Sequence, residues 1–145
     1  MTTNNMLYHY TIAAHAESIL RDGVIRPATA YLPKRERPIV WFSANAAWEE
    51  TANKMGCHSR NETERKWGPL YRFGVASETA PHNFERLVFL AHINPRMSDA
   101  LKDLGIRQGA NPDEWFGTFR PVERWLSFEK LVDDIWIYAE PGAAH

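Results

Sequence analysis

The chain has 145 residues, of which 44% are hydrophobic and 24% charged, the composition of one ordinary globular domain. Its 17 basic and 18 acidic residues give a net charge of -1, which argues against broad electrostatic binding to nucleic acid. A single cysteine excludes an intramolecular disulfide. No apolar run approaches the roughly 20 residues that cross a bilayer, and residues 1–5 lack the features of a signal peptide. We therefore expect a cytoplasmic protein that does not enter the membrane.

The first predicted elements are a strand and a helix. Residues 7–10 predict a short strand, and apolar residues then recur at helical spacing over 12–20. Thr11 is placed to cap this helix, and Gly23 to end it, because glycine adopts the left-handed conformation at little cost. A charged stretch over 27–38 predicts a solvated loop.

A second strand and a second helix are predicted next. Residues 39–42 are β-branched and aromatic, which is typical of a buried strand. Ser43 or Asn45 is expected to cap a helix over 47–55. Residues 57–68 are polar and charged without a period, which predicts an exposed loop.

The remainder of the chain is predicted to be mainly strand. The predicted segments are strands over 70–75, 87–93, 125–131 and 135–139, a helix from 95 to Gly105, a turn or one-turn helix at 111–115 and a hairpin turn at 132–134. The order predicts a single α+β domain over 1–145, with a small mixed or antiparallel sheet and two to three helices.

Common catalytic and nucleotide-binding motifs are missing from the sequence. It contains no G-x-G-x-x-G, G-x-x-x-x-G-K-[ST], H-E-x-x-H, G-x-S-x-G or C-x-x-C. The histidines show no metal-ligand spacing, so no metal site is expected. Among the tryptophans, Trp115 is the one expected to line a pocket.

Two short motifs carry a family resemblance. His9-Tyr10-Thr11 ends the first predicted strand, and Trp41-Phe42-Ser43 ends the second, with the amphipathic helix between them. Over residues 6–55 this order resembles the start of the ADP-ribosyltransferase superfamily. It is most similar to members with a first-strand histidine, which include DNA-modifying toxins, poly-ADP-ribose polymerases and tRNA 2'-phosphotransferases. The resemblance implies an ADP-ribosyltransferase-like fold and NAD as a substrate.

The resemblance also implies roles for individual residues. His9, with Tyr10 and Thr11 beside it, would hydrogen-bond the nicotinamide ribose. Trp41, Phe42 and Ser43 would hold the nicotinamide ring, and an aromatic face is a suitable cradle for a flat cationic ring.

The family places a catalytic acid on a late strand. Glu129 is the favoured candidate, followed by Asp134, with Glu123 third. Arg26 and Arg72 are the basic residues best placed to meet a pyrophosphate.

These roles lead to a functional expectation with two alternatives. The resemblance implies an enzyme, toxin-like and bacterial or phage in character, that transfers ADP-ribose from NAD to a small or macromolecular acceptor (protein or nucleic acid) and releases nicotinamide. The first alternative is a non-catalytic module that binds a nucleotide, an ADP-ribosyl group or a protein. The second is a nuclease or phosphotransferase acting on nucleic acid, with His9 and a second histidine as acid and base.

Each candidate residue also has an ordinary structural role. These roles are a hydrogen bond from His9 to a neighbouring strand, core packing of Trp41 and Phe42, a helix cap at Ser43, an ion pair at Arg72 and a cross-strand pair at Glu129.

Overall fold

The computed structural model describes residues 5–27, 33 and 35–141. In this part of the chain it contains four α-helices and seven β-strands. The helices are α1 (Ala13–Asp22), α2 (Arg60–Trp67), α3 (Phe84–Leu90) and α4 (Pro95–Arg107). The strands are β1 (Met6–Ile12), β2 (Val40–Ser43), β3 (Leu70–Ala76), β4 (His82–Asn83), β5 (Trp115–Thr118), β6 (Ser127–Val132) and β7 (Ile135–Tyr138). Short 3₁₀ turns lie at Glu50–Ala52, Ser77–Thr79 and Pro112–Glu114.

The strands form one sheet in the order β4-β5-β2-β1-β3-β6-β7. Every neighbouring pair in that order is antiparallel. The α+β class is therefore confirmed, and of the two predicted sheet types the antiparallel one is present. The helices number four in the described residues, instead of the predicted two to three.

The predicted strand over 87–93 is wrong, since α3 occupies most of it. The Asn83 side chain accepts a hydrogen bond from the amide of Arg86 and caps the helix. Phe84 and Leu87, three residues apart, are buried on one face, whereas Phe89 is 75% exposed. A short apolar run fits a buried strand and a helix equally well, and here the cap decides between them.

The predicted loop over 57–68 is also wrong, because it contains α2. Ser59 accepts a hydrogen bond from the Glu62 amide, and Glu62 pairs with Lys66 one turn later. The spacing of Ser59 and Glu62 is that of a capping box, which marks a helix start even where no apolar period follows.

The predicted helix over 47–55 is reduced to the 3₁₀ turn Glu50–Ala52. The Asn45 side chain accepts from the Ala47 and Trp48 amides. The Glu49 side chain then accepts from the Thr51 amide. Side chains satisfying backbone donors in this way compete with helix formation, which explains why the helix is absent.

Smaller differences concern element ends and one missed strand. Thr11 does not cap α1, because β1 continues to Ile12 and passes directly into the helix. Gly23 ends α1 as predicted, with φ 71 and its amide bonded to the Ile19 carbonyl. The helix predicted to end at Gly105 is α4, which continues to Arg107. The predicted turn or one-turn helix at 111–115 is confirmed by the 3₁₀ turn Pro112–Glu114, but β5, which was not predicted, begins at Trp115. The predicted loop at 27–38 lies partly outside the described residues.

The sheet is covered on both faces near its centre. In β3, Tyr71, Phe73 and Val75 belong to a buried cluster that also contains Ala16 of α1. On the other face, Tyr8, Tyr10 and Leu70 pack with Trp48 and Leu131 in a second cluster. Because successive strand residues face opposite sides, this double burial explains why β3 is apolar at nearly every position.

Arg72 is the charged exception in β3. It is 7% exposed, and its Nε donates to Glu129 Oε1 at 2.7 Å. The guanidinium also donates to the Ala46 carbonyl and lies 4.0 Å from the centre of the Tyr8 ring and 4.8 Å from that of Trp136. Arg72 and Glu129 stand directly opposite each other in the ladder, so they form a cross-strand ion pair in which the arginine is buried and the glutamate is partly exposed.

Replacing Arg72 tests how much the fold depends on this pair. Arg72→Ala leaves the partly exposed Glu129 carboxylate without its partner; breaking a fully buried pair costs about 3–5 kcal/mol, and water near Glu129 makes the low end of that range the expected cost. We expect a loss of that order in the free energy of unfolding, measured by urea denaturation. Arg26→Ala, which removes an exposed ion pair with Asp22, is the control and should change stability little. Equal effects of the two variants would contradict the prediction.

Candidate functional site

The sheet is interrupted between β1 and β2. One registered pair, Tyr8 opposite Ser43, joins these strands, whereas seven pairs join β1 to β3. Continuing the antiparallel register would set Tyr10 opposite Trp41. The Trp41 carbonyl instead accepts a hydrogen bond from Nδ1 of His9 at 2.8 Å. A side chain thus occupies a place that a ladder hydrogen bond would hold, and a cleft opens beside it.

A cavity of about 420 Å³ adjoins this cleft. Its walls come from β1, β2, β5, α4, the 3₁₀ turn Glu50–Ala52 and the start of α3. Trp41, Phe42, Phe84 and Trp115 give it a largely aromatic lining, and Trp115 was the tryptophan predicted to line a pocket. A cavity of this size, mostly apolar with a few polar groups, is typical of a small-molecule site.

His9 is one of the polar residues that line the cavity. Its Nδ1 bond to the Trp41 carbonyl requires a proton on Nδ1, which in a neutral imidazole makes Nε2 a hydrogen-bond acceptor. Burial lowers the pKa of His9, since desolvation penalises the imidazolium; the bond to Trp41 opposes this shift, and nearby His15 adds to it. The ring meets Phe42 edge-on at 5.7 Å. The expected hydrogen bond to a neighbouring strand is confirmed.

Trp41 and Phe42 differ in their availability to a ligand. Phe42 is 3% exposed and belongs to the core, so its packing role is confirmed. Trp41 is 36% exposed, and its ring lies at 30° to that of Phe84 with centres 6.3 Å apart. Trp41 is therefore the ring of this motif that has a surface left for stacking.

Glu49 is a cavity residue that the sequence reading missed. One carboxylate oxygen accepts from Ser43 Oγ at 2.8 Å. The other accepts from the Thr51 amide at 3.1 Å, the Thr51 hydroxyl at 2.7 Å and the Trp115 indole at 3.1 Å. The residue is 8% exposed. A carboxylate just after an apolar run is only a weak indication of a site residue. Because residues 47–55 were predicted to form a helix, Glu49 was not considered as a candidate.

Ser43 and Tyr10 also line the cavity, although their polar atoms already have partners. Ser43 Oγ donates to Glu49 and accepts from the Asn45 amide, so it caps a turn instead of the predicted helix. The Tyr10 hydroxyl donates to the Asn45 carbonyl. Burial raises the pKa of Tyr10 to about 12, which keeps this hydroxyl a donor at neutral pH.

The remaining predicted residues do not line this cavity. Glu129 pairs with Arg72, as the ordinary roles of both residues required. Asp134 lies in the β6–β7 turn and pairs with Arg60, and Arg26 pairs with Asp22 near the end of α1. Thr11 is buried in β1, while Glu123 lines a separate, polar cavity. Of the described histidines, His9 alone lines the aromatic cavity, whereas the nuclease alternative needs a second one.

Comparisons with known proteins give no further assignment. No protein-family model matches the chain, and no curated protein or solved structure is significantly similar to it. Within residues 5–27, 33 and 35–141, no three potential metal ligands of the His, Cys, Asp and Glu types are grouped together. No helix of that same part is both long and apolar enough to span a membrane.

The lowered pKa of His9 predicts a loss of stability in mild acid. Below the ordinary value of 6.5 the unfolded chain binds a proton that the folded chain resists, so stability falls as the pH drops from 6.5 toward the lower pKa of folded His9. We expect the melting temperature of wild type to decrease between pH 7.5 and 5.5 by more than that of His9→Gln. His58→Gln, at an exposed position, is the control and should follow wild type. A wild-type slope in His9→Gln would contradict the prediction.

Gly105 lets α4 approach Trp115 closely, which predicts a steric effect of adding one methyl group. A Cβ at this position would lie 2.5 Å from two carbons of the Trp115 ring. Ala normally favours a helix over Gly by about 1 kcal/mol, but overpacking costs about 1–3 kcal/mol. We expect Gly105→Ala to lower the unfolding free energy in urea denaturation, whereas Asp103→Ala, exposed on the same helix, should not. An increase in the unfolding free energy of Gly105→Ala would contradict the prediction, because it would show that α4 and the Trp115 ring can shift apart at little cost.

Proposed function

We propose that the chain is an NAD-dependent ADP-ribosyltransferase whose aromatic cavity holds the nicotinamide end of NAD. The proposal is based on the observation that residues of the two motifs line the same cavity. His9 and the Trp41-Phe42-Ser43 segment are more than 30 positions apart in sequence, yet they line one cavity together with a carboxylate, Glu49. The histidine and the aromatic-serine motif are groups that the family resemblance implies around the nicotinamide riboside, whereas the carboxylate comes from Glu49, after β2, and not from a late strand as the resemblance implies.

The arrangement of these groups suits the ligand. Nε2 of His9 is an acceptor for a ribose hydroxyl, and the exposed face of Trp41 is a stacking surface for a flat ring. Glu49 supplies negative charge from the cavity wall. Charge of this sign stabilises the positive charge that develops on the ribose as the glycosidic bond breaks.

The proposed reaction is a substitution at the anomeric carbon of the ribose. The C1'–N1 bond breaks with its electron pair going to N1, so nicotinamide leaves as a neutral molecule. A nucleophilic atom of the acceptor forms a bond to C1' and loses its proton. An oxocarbenium-like ribose between these events is the species that a carboxylate favours.

A second candidate is a binding module without catalysis. Glu129 and Asp134, the acids expected on the late strands, are held in ion pairs and do not line the cavity. Glu49 accepts four hydrogen bonds, which is also the environment of a purely structural carboxylate. A module of this kind would bind the nucleotide and leave the glycosidic bond intact.

Titration with NAD tests the proposal. We expect calorimetry to show binding to wild type and about two- to twelvefold weaker binding to His9→Ala, which loses a hydrogen bond worth roughly 0.5–1.5 kcal/mol. His58→Ala, exposed and outside the cavity, is the control and should bind as wild type does. Failure of wild type to bind NAD would overturn the proposal.

Release of nicotinamide separates the two candidates. With water as the acceptor, a transferase should slowly convert NAD to ADP-ribose and nicotinamide, which chromatography detects. Binding without any release would favour the non-catalytic module.

A further inference from the structure

Glu49 is a buried charge whose hydrogen-bond partners are all neutral. The four donors are the Ser43 hydroxyl, the Thr51 amide and hydroxyl and the Trp115 indole. An ionised carboxylate has only acceptors, and all four contacts can supply a donor, so the arrangement accommodates the charged form. None of the ion pairs in the described part of the chain includes Glu49.

The other buried charge of the sheet provides a contrast. Arg72 has a similarly low exposure, 7% against 8% for Glu49, but it has the carboxylate of Glu129 at 2.7 Å. Removing a charge from water is costly, and an opposite charge or hydrogen bonds to the charged group offset that cost. At Glu49 the described residues supply hydrogen bonds and no ion pair, and the carboxylate residue lines a cavity.

The rest of the cavity wall also suits a cation. Trp41, Phe84 and Trp115 line it, and the face of an aromatic ring attracts positive charge. Lys102 of α4 already has its Nζ 5.7 Å from the centre of the Phe84 ring. Lys102 forms no ion pair with Glu49 in the described part of the chain.

We propose that Glu49 makes the cavity selective for a ring that carries a positive charge. For a nicotinamide nucleotide this means the pyridinium of oxidised NAD over the neutral dihydropyridine of NADH, two rings of nearly the same size and with the same carboxamide. This inference rests on the proposed function and adds to it the charge state of the ligand and the residue that selects it. Glu49 is thereby a specificity-determining residue.

Ligand pairs that differ in charge test the inference on wild-type protein. Calorimetric titrations with NAD and NADH are compared, and then titrations with N1-methylnicotinamide, a cation, and neutral nicotinamide. An attraction of roughly 1.4 kcal/mol corresponds to a tenfold difference in affinity, and we expect the charged member of each pair to bind about tenfold more tightly or better.

A variant locates the selectivity. Glu49→Gln keeps the shape and removes the charge, so NAD should bind more weakly, NADH should bind about equally, and the ratio of the two affinities should approach one. Glu50→Gln removes a neighbouring carboxylate that does not line the cavity, and it should keep the wild-type ratio. Circular dichroism checks that both variants fold. If Glu49→Gln does not fold, the two ligand pairs on wild type decide the matter.

The outcomes separate this inference from the proposed function. Equal binding of NAD and NADH to wild type, or an unchanged ratio in folded Glu49→Gln, would overturn the role of Glu49 and leave the NAD site standing. Binding of neither nucleotide to wild type would overturn the proposed function and this inference together.

Discussion

The interrupted ladder between β1 and β2 is the constraint on which the site depends. A continuous ladder would use the Trp41 carbonyl for pairing between strands, but the imidazole of His9 takes that carbonyl instead. No registered β1–β2 pair follows Tyr8–Ser43, and residues of both strands line the aromatic cavity at this point. The hydrogen bond to the Trp41 carbonyl lies where the ladder stops, and it defines the tautomer of neutral His9.

Two buried charges lie near this gap and are stabilised in different ways. Arg72 is neutralised within the sheet by Glu129 and covered by the Tyr8 and Trp136 rings, so it belongs to the fold. Glu49 is held by neutral donors from β2, β5 and the 3₁₀ turn, so it fixes three walls of the cavity relative to one another. The first charge is balanced inside the protein, whereas the second is the one that a ligand would balance.

The sequence predicted this fold well where a single local signal was strong. Gly23 ended α1 as expected, and β3 and the β6–β7 hairpin lay within a few residues of their predicted places. It failed where two signals competed. An apolar run around Leu87 fits a strand as well as a helix, and α2 had a capping box without an apolar period.

The sequence by itself predicted the α+β class and singled out His9, Trp41 and Ser43, which line one cavity in the structure, because the succession of elements and the short motifs are written along the chain. Only the tertiary structure decided which acid meets them. Hydrogen bonds from distant elements place Glu49 in the cavity, while an opposite charge across the ladder draws Glu129 to Arg72. The partner of a carboxylate depends on which groups folding brings within about 3 Å of it. The separation of two residues in the sequence does not reveal the distance between their atoms in the folded protein.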